Sequence, residues 1–395
     1  MHEIEPRLVV GSHESYATIW KWTLRGSNRE VGHALATYAR DGLQTAPLRW
    51  PDGSRILAQR RFLEAHFRPF YQRMLGVADS FGISADDSTC DLASLPFDVD
   101  RPGCSAGAIP RQRAANGHAH ILRNMDLGVD LTRKMDHPPA SRIVALLMAP
   151  DEGYASLSAV VFDLMGAMDG INEKGLVVIC NSHGDHRLTG SFQPKPAYSY
   201  DPARHPEPGL SELQTVRYLL DTCADTDEAK EALLSLRTYY MSIPCLYMIG
   251  DARGRSLVAE KSPSGNRVVF TERESEPLIM TNFALSRFES DVAMPEDDGL
   301  EQGFVYTRYR TLKNALAGQD PLTTSQLARI AHDASFDVLC APRAEGDLSP
   351  VRSIYTCIYD IDARTMNLSC YLGETEQGTA RSNPVTFALG GTPQA

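Results

Sequence analysis

A chain of 395 residues is long enough to bury a sizeable core without disulfide staples, a structural metal or obligate assembly. Its composition, 43% hydrophobic and 23% charged, is that of a soluble globular protein and excludes disordered, collagen-like and membrane-spanning classes. The net charge of -11 argues against general binding to a phosphate backbone, so no nucleic-acid partner is expected.

The first 103 residues hold 12 Lys or Arg against 13 Asp or Glu, so the excess negative charge lies beyond them, while all three tryptophans (Trp20, Trp22, Trp50) lie within them. The opening MHEIEPRLVV lacks a cleavable apolar segment, and no apolar run reaches the roughly 18 residues of a membrane span. The expected location is therefore the cytoplasm, with no membrane partner. Helical spacing predicts helices over GSNREVGHALATYARD and ILAQRRFLEAHFRPFYQRMLG, separated by the Gly- and Pro-containing DGLQTAPLRWPDGS. This stretch reads as a helical N-terminal segment that ends in the turn-like, accessible DVDRPGCS.

Beyond it the texture changes to short apolar strands: HAHILRNMDL, RIVALLMA, ASLSAVVFDLMGAMDGI and GLVVICNS. Asp169-Gly170 and Asn172-Glu173-Lys174-Gly175 read as tight turns. Residues 183 to 210 read as a long loop, in which His183, Asp185 and His186 are expected to be hydrated loop residues rather than metal ligands. Two helices follow in LSELQTVRYLLDTCADTDEAKEALLSL, with Asp225 capping the second and Glu228 at the reciprocal capping-box position. Strands are expected at 245 to 250, 255 to 260 and NRVVFTE. Helices are expected over GFVYTRYRTLKNALAG and from Thr323, with Gln326 in its capping box, before a closing hairpin in SIYTCIYDIDARTMNLSCYLG. This order, without regular βαβ units, indicates a layered α+β architecture.

The eight cysteines, at 90, 104, 180, 223, 245, 340, 357 and 370, form no CxxC pair, so neither a disulfide framework nor a zinc site is expected. There is also no GxxxxGK[ST] loop, HExxH helix or GxSxG elbow, and no cofactor or metal is expected. A cysteine is ordinarily a small buried hydrophobe. Cys104 is distinguished by its position in Gly103-Cys104-Ser105, where helical sequence gives way to strands. Pairing of 104 to 109 with 118 to 124 would return Arg123 and Asp126 toward it, bracketing the thiol with their charges.

Eight segments then run in order over most of residues 24 to 375. They are LRGSNREVGHALA, Gly103-Cys104-Ser105, HILRNMDL at 120 to 127, MDGINEKGLVVICNSHG at 168 to 184, LLDTCADTDEA, MIGDARGRSLVAEKSP, MTNFAL at 280 to 285 and YTRYRTL at 306 to 312. Together they resemble the autoproteolytic acyltransferase and hydrolase family typified by isopenicillin N acyltransferase, within the choloylglycine-hydrolase-like N-terminal-nucleophile (Ntn) hydrolases. The resemblance implies a four-layer αββα sandwich with a helical N-terminal segment. It also implies autocatalytic scission between Gly103 and Cys104, giving a prosegment or small subunit (1–103) and a catalytic subunit (104–395). Carried over residue by residue, it makes Cys104 the nucleophile, with Arg123 and Asp126 around it. Asn181 becomes the oxyanion donor, and Asn282 and Arg308 further members of the site. Each also has an ordinary reading: a strand-pairing or surface arginine, a turn carboxylate, turn asparagines and a helix-surface charge.

Two departures from the family pattern, Leu127 where an aromatic is usual and Phe283 where a histidine is usual, suggest a more apolar substrate pocket. The function implied is a self-processing amidohydrolase or acyltransferase acting on a small N-acyl substrate through a cysteinyl thioester. An acyl-thioester donor and an amine acceptor become partners if transfer completes turnover. The segment 1–103, with its apolar residues and tryptophans, is expected to stay packed on the catalytic subunit. The alternatives are a peptide hydrolase of the same fold and an uncleaved, inactive ligand-binding relative.

Overall fold

Side chains along a strand alternate between its two faces, and here that alternation sorts the core into separate layers. The computed structural model describes residues 5–49, 52–96, 102–129, 141–183, 208–239, 244–261, 268–290, 293–295, 304–318, 320–340 and 351–390. The N-terminal segment contributes β1 (Arg7–Val10), β2 (Ala17–Gly26), α1 (Asn28–Gly42), β3 (Leu48–Arg49), α2 (Gly53–His66), α3 (Arg68–Phe81) and β4 (Cys90–Asp91). There follow β5 (Pro102–Ile109), β6 (His120–Gly128), β7 (Ser141–Pro150), β8 (Ser156–Val160), β9 (Asp169–Asn172) and β10 (Val177–Ser182). Next come α4 (Glu212–Thr222), α5 (Thr226–Ser235), β11 (Cys245–Gly250), β12 (Ser256–Lys261), β13 (Val268–Arg273) and β14 (Leu278–Met280). The chain closes with α6 (Val305–Leu316), α7 (Thr324–Asp333), α8 (Phe336–Leu339), β15 (Val351–Asp360), β16 (Thr365–Thr375), β17 (Gly378–Arg381) and β18 (Val385–Ala388).

Two sheets face each other. One has nine strands in the order β1-β2-β7-β8-β9-β10-β11-β12-β13; the other has seven, β14-β5-β6-β15-β16-β17, with β18 also on β16. Cys104, Ala106, Ile121, Met125, Ile143, Ile179, Tyr355 and Tyr359 share the buried cluster between them. The opposite side of the nine-stranded sheet offers Trp22, Leu24, Val144 and Leu146 to α1 and α3, and Val178 and Tyr247 to α4 and α5. The outer side of the seven-stranded sheet packs Ile109, Leu122 and Ile358 against Leu312 of α6 and Leu327 of α7. The result is the expected mixed architecture, helices flanking two large sheets as a four-layer αββα sandwich.

The helices Asn28–Gly42 and Arg68–Phe81 bear out the predicted helical segment, but two strands precede them. β2 pairs in parallel with β7 over ten residue pairs, from Ala17 with Ser141 to Gly26 with Pro150. The segment is thus built into the larger sheet as well as laid against it. The expected turn at Asp169-Gly170 is instead part of β9, where Asp169 pairs with Ala159 and Ile179. The second expected turn is present, with Gly175 N–H donating to the Asn172 carbonyl at 2.9 Å and Gly175 at φ +84°. Thr323 and Gln326 form the expected capping box. Asp225 caps α5, whereas Glu228 accepts from the Ala224 amide instead of that of Asp225.

Most of the expected 183 to 210 loop, including Asp185 and His186, lies outside the described residues; His183 is buried. Among the described residues, no His, Cys, Asp and Glu cluster could hold a metal, and no helix is long and apolar enough to cross a membrane.

α1 and α3 cross unusually closely because glycines meet backbone. A Cβ on Gly32 would stand 1.9 Å from the Arg73 carbonyl oxygen, and one on Gly76 would stand 2.0 Å from that of Arg29. Gly32→Ala should therefore force the helices apart and cost about 1–3 kcal/mol despite the better helix propensity of alanine. Urea denaturation checks this; a variant at least as stable as the parent contradicts the packing described.

Candidate active site

The period of two along β6 assigns its residues to different layers. Ile121, Met125 and Leu127 face the space between the sheets and Leu122 faces the outer helices, so Arg123 points inward and Asp126 outward. The antiparallel register sets Cys104 opposite Met125 and Gly103 opposite Asp126. The Gly103–Cys104 bond therefore lies in a regular strand rather than in the accessible, turn-like link expected, because the β5–β6 ladder continues through Pro102. Cys104, Arg123, Asp126, Asn181, Asn282 and Arg308 are all 0% exposed.

On the inner face, Arg123 Nη2 approaches Cys104 Sγ at 3.2 Å and Met125 Sδ at 3.1 Å, and donates to the Cys180 carbonyl at 3.0 Å. Its Nη1 donates to the Asp169 carboxylate and the Tyr355 hydroxyl. The two tyrosines in turn donate to Asp169, Tyr355 to Oδ2 at 2.5 Å and Tyr359 to Oδ1. Burial pushes the Cys104 thiol up, Arg123 pulls it back, and Asp126 adds to the rise. Burial also works against the charge on Arg123, but Tyr355, Asp169 and Cys104 outweigh it and hold the guanidinium protonated.

On the outer face, Arg308 addresses the backbone of the same cysteine. Its Nη1 donates to the Cys104 carbonyl at 2.6 Å and to Asp126 Oδ2 at 3.1 Å, and its Nη2 donates to Asn282 Oδ1 at 2.6 Å. That same Oδ1 accepts the Cys104 N–H at 3.0 Å, while Asn282 Nδ2 donates to the carbonyl and hydroxyl of Ser182 at 2.7 and 2.9 Å. Burial raises Asp126, opposed by Arg308 and then by the Ser353 hydroxyl, which donates to Oδ1. A bulge in β15 between Ser353 and Tyr355 lets this short stretch serve both faces, Ser353 outward and Tyr355 inward.

Four of the five residues expected around Cys104 thus converge on it or on its immediate partners. Asn181 stands nearby, on the strand that carries Cys180, but both hydrogens of its amide are directed at carbonyls, those of Met280 at 3.3 Å and Thr281 at 3.2 Å. Its Oδ1 has no hydrogen-bond partner among the described residues. Leu127 faces the inter-sheet core, whereas Phe283 packs in the outer layer against Tyr306, Tyr309 and Phe288, with ring centroids 4.8, 5.4 and 5.8 Å away. The two expected pocket residues do not line one space. The sequence marks Asp169 only as a turn residue and gives no site role to Tyr355, Tyr359, Ser182 or Ser353, although the alternation Tyr355-x-Cys357-x-Tyr359 does place both tyrosines on one strand face.

The profile of the family described as acyl-coenzyme A:6-aminopenicillanic acid acyl-transferase matches residues 115–376, about two thirds of the chain. That span includes all the candidate residues except Gly103 and Cys104. No curated protein matches. The solved structures similar to the chain include penicillin V acylase from Agrobacterium tumefaciens (17% identity, 70% of this chain and 84% of that one, TM-score 0.41). Also similar are a mutant of conjugated bile acid hydrolase from Clostridium perfringens (15%, 72% and 97%, 0.43) and the Caenorhabditis elegans ortholog of N-acylethanolamine-hydrolyzing acid amidase (15%, 66% and 93%, 0.36). The family match and the fold together define an Ntn hydrolase of the choloylglycine-hydrolase-like group, a class of hydrolases and acyltransferases. Within it, the chain belongs to the acyl-coenzyme A:6-aminopenicillanic acid acyl-transferase family.

Removing Arg308 would strand the buried Asp126 carboxylate and leave the Cys104 carbonyl without this donor. Arg308→Ala should therefore destabilise the fold by about 3–5 kcal/mol. Adding Asp126→Leu to it should recover part of that loss, because the second change removes the unpaired charge. A double-mutant cycle by thermal or urea unfolding tests this, and strictly additive losses would show that the pair is not coupled.

Proposed function

We propose that the protein is a self-processing N-terminal cysteine amidohydrolase or acyltransferase of the isopenicillin N acyltransferase type, acting on a small N-acyl amide. The observation that carries this is the treatment of one residue by its neighbours. Arg123 addresses the sulfur of Cys104, Asn282 its nitrogen and Arg308 its carbonyl, at 3.2, 3.0 and 2.6 Å. A buried N–H and carbonyl need partners in any case, but a structural cysteine has no need of a guanidinium at its sulfur.

In the precursor, the Cys104 sulfur attacks the Gly103 carbonyl carbon. The Gly103–Cys104 C–N bond breaks, and the nitrogen keeps its own hydrogen, takes up the proton given up by the thiol and becomes the α-amine. Water then hydrolyses the Gly103 thioester and frees the thiol. An α-amine titrates at about 8 and a cysteine at about 8.5, so the neutral amine takes the thiol proton near neutral pH. Asn282 Oδ1, which accepts the Cys104 N–H, would orient that amine so that its lone pair faces the sulfur. Arg123 favours the thiolate against the effect of burial.

In turnover, the thiolate adds to the substrate carbonyl and the C–N bond breaks. The amine leaves with the proton, and water or a second amine resolves the thioester. Asn181 serves as oxyanion donor in this scheme by exchanging one of its long contacts, 3.2 and 3.3 Å, for the developing charge. Asp126 and Arg308 hold the strand backbone at the nucleophile. The proposed compartment is the cytoplasm, where a thiol nucleophile stays reduced.

The segment 1–103 is proposed to remain as a subunit beside 104–395. Supporting this are the β2–β7 ladder, the wholly buried pair of Arg73 with Asp221 at 2.6 Å, and the reciprocal bonds of Gln59 with Gly209 at 2.6 and 3.0 Å. The Asp163 carboxyl, pushed up to about 6 by burial, accepts from Ser94 Oγ and from the Leu95 amide. Because its folded value lies above the unfolded one, its contribution to stability is greatest below about pH 4 and declines as the pH rises through 6.

Intact mass and N-terminal sequencing of freshly made protein should give two chains that co-elute on gel filtration, the larger beginning at Cys104. Cys104→Ala should remain one chain and lack amidase activity. A folded, active wild type that retains the Gly103–Cys104 bond would falsify the mechanism, whereas a folded, uncut and inactive one would favour the ligand-binding relative, a reading that the full burial of Cys104 supports.

A further inference from the structure

The cation facing the proposed nucleophile is itself held by an arrangement that the reaction scheme leaves unused. Arg123 sits between two sheets at 0% exposure, where an uncompensated guanidinium would cost several kcal/mol. Its charge partner comes from the opposite sheet: Asp169 on β9, also 0% exposed. Both carboxylate oxygens are engaged, Oδ2 by Arg123 and Tyr355 and Oδ1 by Tyr359. Neither tyrosine competes for the negative charge, since burial raises both hydroxyls, Tyr355 against the pull of Arg123 and Tyr359 with the added push of Asp169. The planar guanidinium then has little choice of orientation. With Nη1 tied to Asp169 and Tyr355, Nη2 is left facing Cys104 Sγ, Met125 Sδ and the Cys180 carbonyl.

We propose that Asp169, locked by Tyr355 and Tyr359, is a positioning residue for the nucleophile: it aims the Arg123 guanidinium at the Cys104 sulfur and balances its charge. Asp169 touches neither the sulfur nor the scissile carbonyl, and it acts only through Arg123. The inference rests on the proposed role of Cys104 and extends it to the opposite sheet. It also accounts for the extended backbone at Asp169-Gly170, since a carboxylate on a surface turn could not cross the inter-sheet space. Among the described residues, the ionisable groups that act on Cys104 include Arg123, Cys180 on β10, Cys245 on β11 and Tyr355 on β15 from the inner side, and Asp126 and Arg308 on α6 from the outer side. Asp169 bonds two of these, Arg123 and Tyr355, and of the two it is Arg123 whose Nη2 approaches the sulfur.

Self-scission reads out this role without a known substrate. Wild type, Asp169→Asn, Tyr359→Phe and Cys104→Ala are made by cell-free translation, and precursor and product are resolved by mass over time at a series of pH values. Asp169→Asn should slow scission at least tenfold and move the midpoint of its pH profile downward, because Arg123 then confronts the thiol without its counter-charge. Tyr359→Phe keeps the charge but releases one carboxylate oxygen, and should slow scission about threefold with the midpoint unmoved. If Asp169→Asn proves unfolded by thermal melting, Tyr359→Phe decides. A folded Asp169→Asn, or failing that a Tyr359→Phe, with wild-type rate and profile overturns the positioning role alone. A wild type that is never cut overturns the self-processing reading and this inference with it.

Discussion

The burial of two arginine side chains on opposite faces of one strand pair is the constraint from which the rest of the centre follows. Arg123 lies between the sheets and Arg308 lies between a sheet and its helices, both without solvent contact. A guanidinium cannot be neutralised by giving up its proton, so each must be met by a carboxylate and by enough acceptors to replace water. Asp169, the Tyr355 hydroxyl and the Cys180 carbonyl meet the first; Asp126, Asn282 and the Cys104 carbonyl meet the second. The strand that carries Cys104 is thereby gripped from both sides. What looks like a set of catalytic contacts is also the electrostatic solution to a packing problem.

That double use explains why the centre draws on both sheets. Within the seven-stranded sheet, register alone brings Cys104, Arg123, Asp126, Ser353 and Tyr355 together. Asp169 and Asn181 come from the nine-stranded sheet, and Asn282 and Arg308 from the chain between β14 and the end of α6. Sliding either sheet against the other would separate Arg123 from Asp169, so the inter-sheet packing and the geometry at the sulfur are one specification.

The parts of this that could be read from the chain are those whose signal is local. HILRNMDL is a short run close in sequence to Gly103-Cys104-Ser105, so antiparallel pairing across the intervening turn is enough to bring Arg123 and Asp126 toward Cys104. Asn282 and Arg308 carry no such local mark; 178 and 204 residues from Cys104, they were reached only through the ordered family resemblance. β2 carries a genuine local signal, since Trp20-Lys21-Trp22-Thr23-Leu24-Arg25 alternates apolar and polar residues, but its parallel partner β7 lies far along the chain, so no turn joining the two marks it as a strand. Asp169 was misread for the opposite reason. Asp-Gly is a strong turn signal in isolation, and only a distant arginine and two tyrosines make an extended carboxylate favourable there.

The parallel pairing of β2 with β7 carries a consequence of its own. Two strands in parallel cannot be joined by a tight turn, and here the connection runs through everything from α1 to β6. While the chain is continuous, that connection keeps β2 at high effective concentration beside its partner strand. If the bond before Cys104 is cut, this tether is gone and the pairing survives as a relic of it. Two chains separated after scission would have to find each other by collision and choose the register anew, without the covalent guide that first imposed it. On the proposed reading, the protein's assembled form is therefore a record of its history, reachable from the intact precursor far more readily than from its own pieces.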